Sequence, residues 1–152
     1  MPDACIGVDV IVGYPGETDK EFTATYNLLQ NLPVSYFHVF TYSERANTTA
    51  PRMEEAVPME VRTERSKMLR ILSQKKKRAF YESQVGAIRP VLFEQKNEDG
   101  MISGFTDNYV KVQVPFDQAL VNQTLSMQLK SISPDGFMNA EVAAPQIAQL
   151  AS

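Results

Sequence analysis

The chain has 152 residues, 43% of them hydrophobic, and a formal net charge of −3 at pH 7. It can therefore bury a core as one domain or two small ones, and its total charge gives no sign of nucleic-acid binding. The chain has one cysteine and one histidine, which excludes an internal disulfide and a metal site built from a cysteine cluster of this chain. The single thiol and the lack of a long apolar run predict a cytoplasmic protein with no membrane contact.

Charge is unevenly distributed along the chain. The formal charge is −5 over residues 1–59, +5 over residues 60–83 and −3 over residues 84–152. The basic segment contains four consecutive cations, from Lys75 to Arg78. Such a run is either an ordinary solvated helix face or a set of phosphate contacts, and both interpretations stay open at this point.

The first half of the chain predicts alternating strands and helices. Residues 6–12 and 36–42 are apolar and β-branched or aromatic, as in buried strands. Between them, a capping-box pattern at Thr18 opens a predicted helix over residues 19–31. This order predicts a βαβ unit with parallel strands, followed by a long helix over residues 58–83.

In the second half the hydrophobic period changes to two. Five short β-rich segments lie within residues 84–143 and are separated by turn sequences such as Asp99-Gly100. This pattern predicts a small antiparallel OB-like β-barrel as a second domain after residues 1–83. Residues 144–152 are expected to form a flexible tail.

Two segments of the first half resemble a known enzyme family. They are Asp9-Val10-Ile11-Val12-Gly13-Tyr14-Pro15-Gly16-Glu17-Thr18 and Tyr36-Phe37-His38-Val39-Phe40-Thr41-Tyr42-Ser43-Glu44-Arg45. Both are similar to segments of the radical-SAM methylthiotransferases, and the second half is similar to a TRAM domain. The resemblance implies an α/β fold in which the terminal βαβα part of a partial TIM barrel precedes the OB-like barrel. It also implies a C-terminal fragment of such an enzyme.

The resemblance is strongest to the MtaB branch of that family. Members of this branch convert N6-threonylcarbamoyladenosine, next to the anticodon of tRNA, to its 2-methylthio derivative. The resemblance therefore implies a transferase that uses S-adenosylmethionine and two 4Fe-4S clusters, with the tRNA anticodon stem-loop as partner. The cluster ligands belong to a separate cysteine motif, so we expect this chain to supply part of the S-adenosylmethionine pocket and the tRNA-binding module, and to be inactive alone.

Site residues follow from the positions that match the family. No catalytic or metal-binding residue is expected in this chain. The expected cofactor contacts are Ile11, Gly13, Val39 and Phe40. The expected substrate or RNA contacts are Arg45, Lys75, Lys76, Lys77, Arg78, Lys96, Phe105, Tyr109 and Lys111. The sequence departs from the family at Ala46-Asn47, where Pro-Gly is usual, and this change is expected to loosen the turn after Arg45.

Several alternatives remain open from the sequence. The chain could instead be a non-catalytic RNA-binding protein, or belong to a sister branch acting on isopentenyladenosine in tRNA or on a ribosomal-protein aspartate. Tyr109 can equally belong to the barrel core. For His38 we expect a packed, hydrogen-bonded side chain, and for Cys5 no metal. An incomplete parallel sheet also leaves an edge that offers a surface for self-association.

Overall fold

A computed structural model describes residues 3–43, 56–96 and 99–144. The chain divides into two compact units. The first is Cys5–Phe80, and the second combines Met1–Ala4 with Tyr81–Ser152. Within the described ranges, no helix is both long enough and apolar enough to cross a bilayer.

The first unit contains two strands and two helices. They are β1 (Gly7–Val12), α1 (Asp19–Asn31), β2 (Tyr36–Thr41) and α2 (Met59–Gln84), whose last residues from Tyr81 belong to the second unit. The two strands pair in parallel along their whole length. The predicted parallel βαβ unit and the long helix after it are therefore confirmed. A two-stranded sheet is the whole sheet described in this unit, so the partial TIM barrel stays an expectation.

The core of this unit lies between one face of the sheet and the helices. Its buried members are Val12, Phe22, Leu29, Phe37, Val39, Leu69 and Leu72. Alternate residues of the strands point to the other face, where Ile11 is 60% exposed and Phe40 is 52% exposed. The sequence predicted that both faces of these strands would be covered by other elements. In the structure, the described residues cover only one face.

The start of α1 is capped as predicted. The Thr18 backbone N–H donates to Glu21 Oε2 at 2.7 Å, and the Glu21 N–H donates to Thr18 Oγ1 at 3.3 Å. These two bonds satisfy backbone groups that the first helical turn leaves without partners. The helix ends before Pro33, because a residue preceding proline disfavours helical geometry.

Helix α2 closes the outer edge of β2. Ser73 Oγ accepts from the Phe37 N–H at 2.8 Å and donates to the Phe37 carbonyl at 2.9 Å, while Arg70 Nη2 donates to the Val39 carbonyl at 3.5 Å. These contacts occupy backbone groups that would otherwise be available to another strand. At Phe37 and at the Val39 carbonyl, the outer edge of β2 is therefore already hydrogen-bonded.

The second unit is a closed five-stranded barrel with the order β3-β4-β5-β7-β6. Its strands are β3 (Ile88–Lys96), β4 (Met101–Thr106), β5 (Lys111–Pro115), β6 (Thr124–Ile132) and β7 (Met138–Val142). The predicted barrel is thereby confirmed. One pair differs from the antiparallel expectation, because β5 and β7 run parallel where the barrel closes.

Alternation along the strands fills the barrel interior. The fully buried side chains include Val91, Phe93, Ile102, Val112, Leu129 and Met138. Gly104 is required on β4, because a Cβ there would collide with the backbone of Leu92 on the neighbouring strand. The described outward positions of β3 and β4 form the surface that carries the candidate site.

Candidate cofactor turn and nucleic-acid interface

The turn after β1 is built on two glycines in left-handed conformation. Gly13 has φ +76° and Gly16 has φ +87°, a region that other residues adopt only with strain. The Gly13 N–H donates to Glu17 Oε1 at 3.1 Å, and the Glu17 N–H donates to the Tyr14 carbonyl at 2.9 Å. The side chain of Glu17 therefore holds the turn at its first residue.

A buried arginine of α2 fixes that glutamate. Arg65 Nη1 contacts Glu17 Oε1 at 2.6 Å, and Arg65 Nη2 contacts Asp19 Oδ1 at 2.7 Å. The Arg65 guanidinium also lies over the Phe22 ring, 5.3 Å from its centroid. Burial opposes the charge of Arg65, but hydrogen bonds to Asp19 and Glu17 outweigh burial, and its pKa is raised. The turn geometry thus depends on an ion pair that the surrounding protein shields from water.

The side chain of a second arginine of α2, Arg62, lies next to Gly13. Arg62 Nε donates to the Val57 carbonyl at 2.7 Å, and Nη1 donates to the Tyr42 carbonyl at 3.1 Å. Its side-chain stem occupies the space that a Cβ on Gly13 would need. Gly13 is therefore required both by its backbone angle and by this close approach.

The predicted cofactor residues divide between the two faces of the sheet. Ile11 and Phe40 are register partners on neighbouring strands, and both are exposed. Val39 is 9% exposed and packs in the helix-covered core. Only Ile11 and Phe40 can therefore present side chains beside the Gly13 turn, and Val39 can contribute only backbone groups there.

The single histidine lies on this exposed face, not in the core. His38 alternates with buried Phe37 and Val39, and its ring meets the Tyr36 ring edge-on at 5.2 Å. The expectation of a packed, hydrogen-bonded histidine is wrong in its placement, because the strand alternation turns this position outward. The lone thiol, Cys5, is half-buried, and burial raises its pKa.

On the barrel surface, three of the predicted RNA contacts lie together. The rings of Phe105 and Tyr109 are 6.4 Å apart. Lys111 Nζ lies 5.8 Å from the Phe105 ring centroid and 5.0 Å from that of Phe137. Tyr109 is 69% exposed, so it is not a core residue. Arg45 lies outside the described residues, as does the side chain of Lys96.

Tyr109 is held in an unfavourable backbone conformation. Its φ is +63°, which costs a side-chain-bearing residue roughly 1–2 kcal/mol. Buried polar contacts impose this turn, with Thr106 Oγ1 accepting from the Val110 N–H at 2.9 Å and donating to Asn108 Oδ1 at 2.7 Å. Asn108 Nδ2 in turn donates to Gln84 Oε1 at 2.9 Å. This network presents the Tyr109 ring to solvent beside Phe105.

Tyr109 and Phe105 form one wall of a groove of about 380 Å³. The groove is lined by Pro90, Leu92, Glu94, Phe105, Thr106, Asp107, Tyr109 and Thr124. Arg89 holds the carboxylate of Asp107, with Nη1 3.2 Å from Oδ1. Apolar and aromatic side chains with carboxylates at the rim can stack a flat ring and accept hydrogen bonds from its edge.

No family model matches the chain, but known proteins are similar to it. A threonylcarbamoyladenosine tRNA methylthiotransferase of Bacillus subtilis is 37% identical, covering 85% of this chain and 30% of the relative. One from Aquifex aeolicus is 36% identical, covering 74% of this chain and 26% of the relative. A tRNA-2-methylthio-N(6)-dimethylallyladenosine synthase of Symbiobacterium thermophilum is 33% identical, covering 85% of this chain and 28% of the relative. The chain is therefore similar to named tRNA methylthiotransferases over most of its own length.

The chain spans about 30% of the length of the methylthiotransferases that it matches. The residues at the turn after β1 are chemically compatible with the expected contacts to S-adenosylmethionine. The exposed Ile11–Phe40 pair offers an apolar surface for a purine, and Gly13 allows close backbone approach. The sequence contains one cysteine. The three thiolates that would hold a 4Fe-4S cluster must therefore come from elsewhere in a methylthiotransferase.

The four cations of the basic run, Lys75 to Arg78, do not point to one side of helix α2. Consecutive helical residues differ by about 100° in direction, and Lys76 Nζ donates to the Leu32 carbonyl at 2.7 Å. Lys75 and Arg78, three residues apart, are exposed and lie on neighbouring helix positions. The run can therefore offer about two phosphate contacts from one side.

Sequence reasoning missed the residues that hold the site in place. Arg62 was counted only in the basic segment, Arg65 contributed to the family resemblance without a role of its own, and Gln84 and Asn108 carried no functional signal. The available signal for Arg65 was its position on the apolar side of the predicted helix, four and seven residues before Leu69 and Leu72, because a charged residue on an apolar face needs a partner. The acidic turn at Glu17 and Asp19 supplies that partner.

Proposed function

We propose that this chain is part of a tRNA methylthiotransferase that acts on N6-threonylcarbamoyladenosine next to the anticodon, in the cytoplasm. In the whole enzyme it supplies one wall of the S-adenosylmethionine pocket and the module that binds the tRNA anticodon stem-loop. The observation that carries the proposal is the similarity to named methylthiotransferases over most of this chain. With one cysteine, the chain alone is expected to form no cluster and to be inactive.

The cofactor wall rests on two apolar side chains that are exposed in this structure. Bound S-adenosylmethionine supplies the radical chemistry and the methyl group of the whole enzyme. In this chain, the exposed Ile11 and Phe40 side chains would hold the adenine, and the Arg65–Glu17 pair fixes the Gly13 turn that would lie beside it. These residues bind and orient the cofactor and transfer no proton.

The cofactor assignment is tested in the full-length enzyme. Ile11→Ser is the better change, because Gly13→Val would also displace Arg62 and threaten folding. We expect Ile11→Ser to weaken S-adenosylmethionine binding about five- to thirtyfold while tRNA binding is unchanged, since a buried aliphatic contact contributes ~1–2 kcal/mol. Leu28→Ser, an equally exposed site on α1, is the matched control. Equal cofactor affinity in both variants would remove the assignment.

The RNA-binding role rests on the cluster of Phe105, Tyr109 and Lys111. Aromatic rings beside a cation stack unpaired bases and hold the backbone, and stacking contributes about 1–3 kcal/mol per base. Phe105→Ala should therefore weaken binding of an anticodon stem-loop by about five- to 150-fold, with little change in its salt dependence. The control is Val142→Ala, an exposed apolar position elsewhere on the barrel. If both variants bind equally, this surface is not the platform.

A second candidate substrate is supported by the other relatives. Several similar proteins, at 33–36% identity, are named tRNA-2-methylthio-N(6)-dimethylallyladenosine synthases. The identities of the two groups overlap, so they do not separate the substrates. The modified nucleosides formed in tRNA distinguish the two.

A further inference from the structure

We propose that the barrel groove is a pocket for one unpaired nucleobase and prefers bases with an exocyclic amine (guanine, cytosine or adenine) over uracil. The inference deepens the RNA-binding part of the proposed function and rests on it. Glu94 and Asp107, at the rim of the groove, are the groups assigned to read the base. Phe105 and Tyr109 hold it by stacking.

The shape of the groove suits a flat ring. Leu92 is 49% exposed although it is aliphatic, and it lies between Phe105 of β4 and Thr124 of β6 in the strand register. Pro90 continues the apolar strip along β3, and Tyr109 lines the same groove. An exposed apolar strip bordered by two aromatic rings is the kind of surface on which bases stack.

The charged groups of the groove are both acceptors. Its only charged lining residues, within the described part of the chain, are Glu94 and Asp107, and ionised carboxylates accept hydrogen bonds without donating any. An exocyclic amine supplies donors to them. Uracil instead presents two carbonyl oxygens around a single N–H, and these oxygens face the carboxylates unfavourably. Arg89 fixes the Asp107 carboxylate, so this acceptor is oriented before a base arrives.

The cost of the Tyr109 conformation supports a binding role for this wall. Tyr109 adopts a left-handed conformation that the network of Thr106, Asn108 and Gln84 imposes. Residues kept in such conformations cluster at ligand sites, where the strain fixes a side chain in its binding position. Here the fixed side chain is the aromatic wall of the groove.

The test uses the 152-residue chain and labelled oligouridines in which one central base is uracil, cytosine, adenine or guanine. Fluorescence anisotropy should show amine-bearing bases binding at least about fivefold more tightly than uracil, as expected for a specific base-edge contact. Glu94→Gln, which adds a donor and removes the charge, should reduce this ratio to less than about twofold. Asp107→Asn should reduce it in the same direction.

Asp135→Asn, which changes the net charge equally in the turn before β7, should leave the preference intact. Phe105→Ala should weaken all four oligonucleotides. If the four bind equally to the wild type while Phe105→Ala still weakens them, base selectivity is refuted and the RNA platform stands. If Phe105→Ala changes nothing, the RNA-binding role of this surface fails, and the inference fails with it. Circular dichroism of each variant establishes that it is folded.

Discussion

The strained tyrosine of the barrel allows stability and binding to be separated with two substitutions at one position. Tyr109→Ala and Tyr109→Gly both remove the ring, which is 69% exposed and contributes little burial. They differ in the cost of φ +63°, because glycine adopts positive φ without penalty and alanine does not.

The magnitude follows from that difference. A left-handed conformation costs an alanine roughly 1–2 kcal/mol, and the greater freedom of glycine in the unfolded chain offsets about 0.4–1 kcal/mol of it. Tyr109→Gly should therefore be more stable than Tyr109→Ala by about 1 kcal/mol, or about 4–8 °C in the melting temperature of a domain of this size. Both variants should lose RNA affinity equally, by about five- to 150-fold, because the stacking ring is gone from each.

The assay is thermal unfolding by circular dichroism beside anisotropy with a single-stranded oligonucleotide. Asn122→Gly is the control, since Asn122 is the other described non-glycine residue with positive φ, at +57°, and asparagine tolerates that region. It should change neither property much. An alanine variant as stable as the glycine variant would refute the strain argument, and undiminished RNA binding in both would refute the stacking role.

Three further outcomes follow from the first unit. Arg65→Met should destabilise folding by about 2–4 kcal/mol in urea unfolding, because it leaves a shielded carboxylate without its partner; a loss below about 1 kcal/mol would contradict the buried pair. Backbone and side-chain hydrogen bonds from the capping threonine, Thr18, lower the pKa of Glu21 below 4.5. The stabilising contribution of Glu21 should therefore be full above pH 4.5 and be lost as the pH falls through the lowered pKa. A Glu21→Gln variant whose melting temperature falls by the same amount at acid pH would disprove this. The double change Lys75→Gln and Arg78→Gln should reduce the slope of log K for RNA binding against log salt concentration by roughly 1.5, as expected for two phosphate contacts. Lys76→Gln should leave this slope unchanged. If the double variant has the same slope as the wild type, the basic run is an ordinary solvated helix face.

Hydrophobic periodicity was sufficient to predict the elements of both units. The continuous apolar runs, the capping box and the change to period two gave the parallel βαβ unit and the five barrel strands. Turn sequences predicted the β3–β4 hairpin at Asp99-Gly100 and the β6–β7 hairpin at Ser133–Gly136, but none was identified for the β4–β5 hairpin. The parallel pairing of β5 with β7 was not predictable, because the closure of a barrel depends on strand tilt and stagger rather than on neighbouring residues.

The candidate sites were predicted in part. Phe105, Tyr109 and Lys111 were predicted together as RNA contacts of the barrel, and they lie together. Phe105 and Lys111 are register partners on β4 and β5, and Tyr109 lies in the turn between these strands. Val39 and Phe40 were chosen as a pair, and alternation along the strand separates them. The supporting residues were missed, since a buried arginine or asparagine becomes recognisable only when its long-range partner is known.

The most direct test of the proposed function is the analysis of tRNA nucleosides made by the full reading frame. It would be expressed in a bacterium that lacks both methylthiolating activities toward tRNA, and digested tRNA would be examined by liquid chromatography and mass spectrometry. The proposal predicts the 2-methylthio derivative of N6-threonylcarbamoyladenosine, and its loss when Ile11→Ser is combined with Phe40→Ser. The methylthiolated dimethylallyl nucleoside alone would assign the second candidate substrate. No methylthiolated nucleoside from a folded, cluster-loaded enzyme would contradict the proposal.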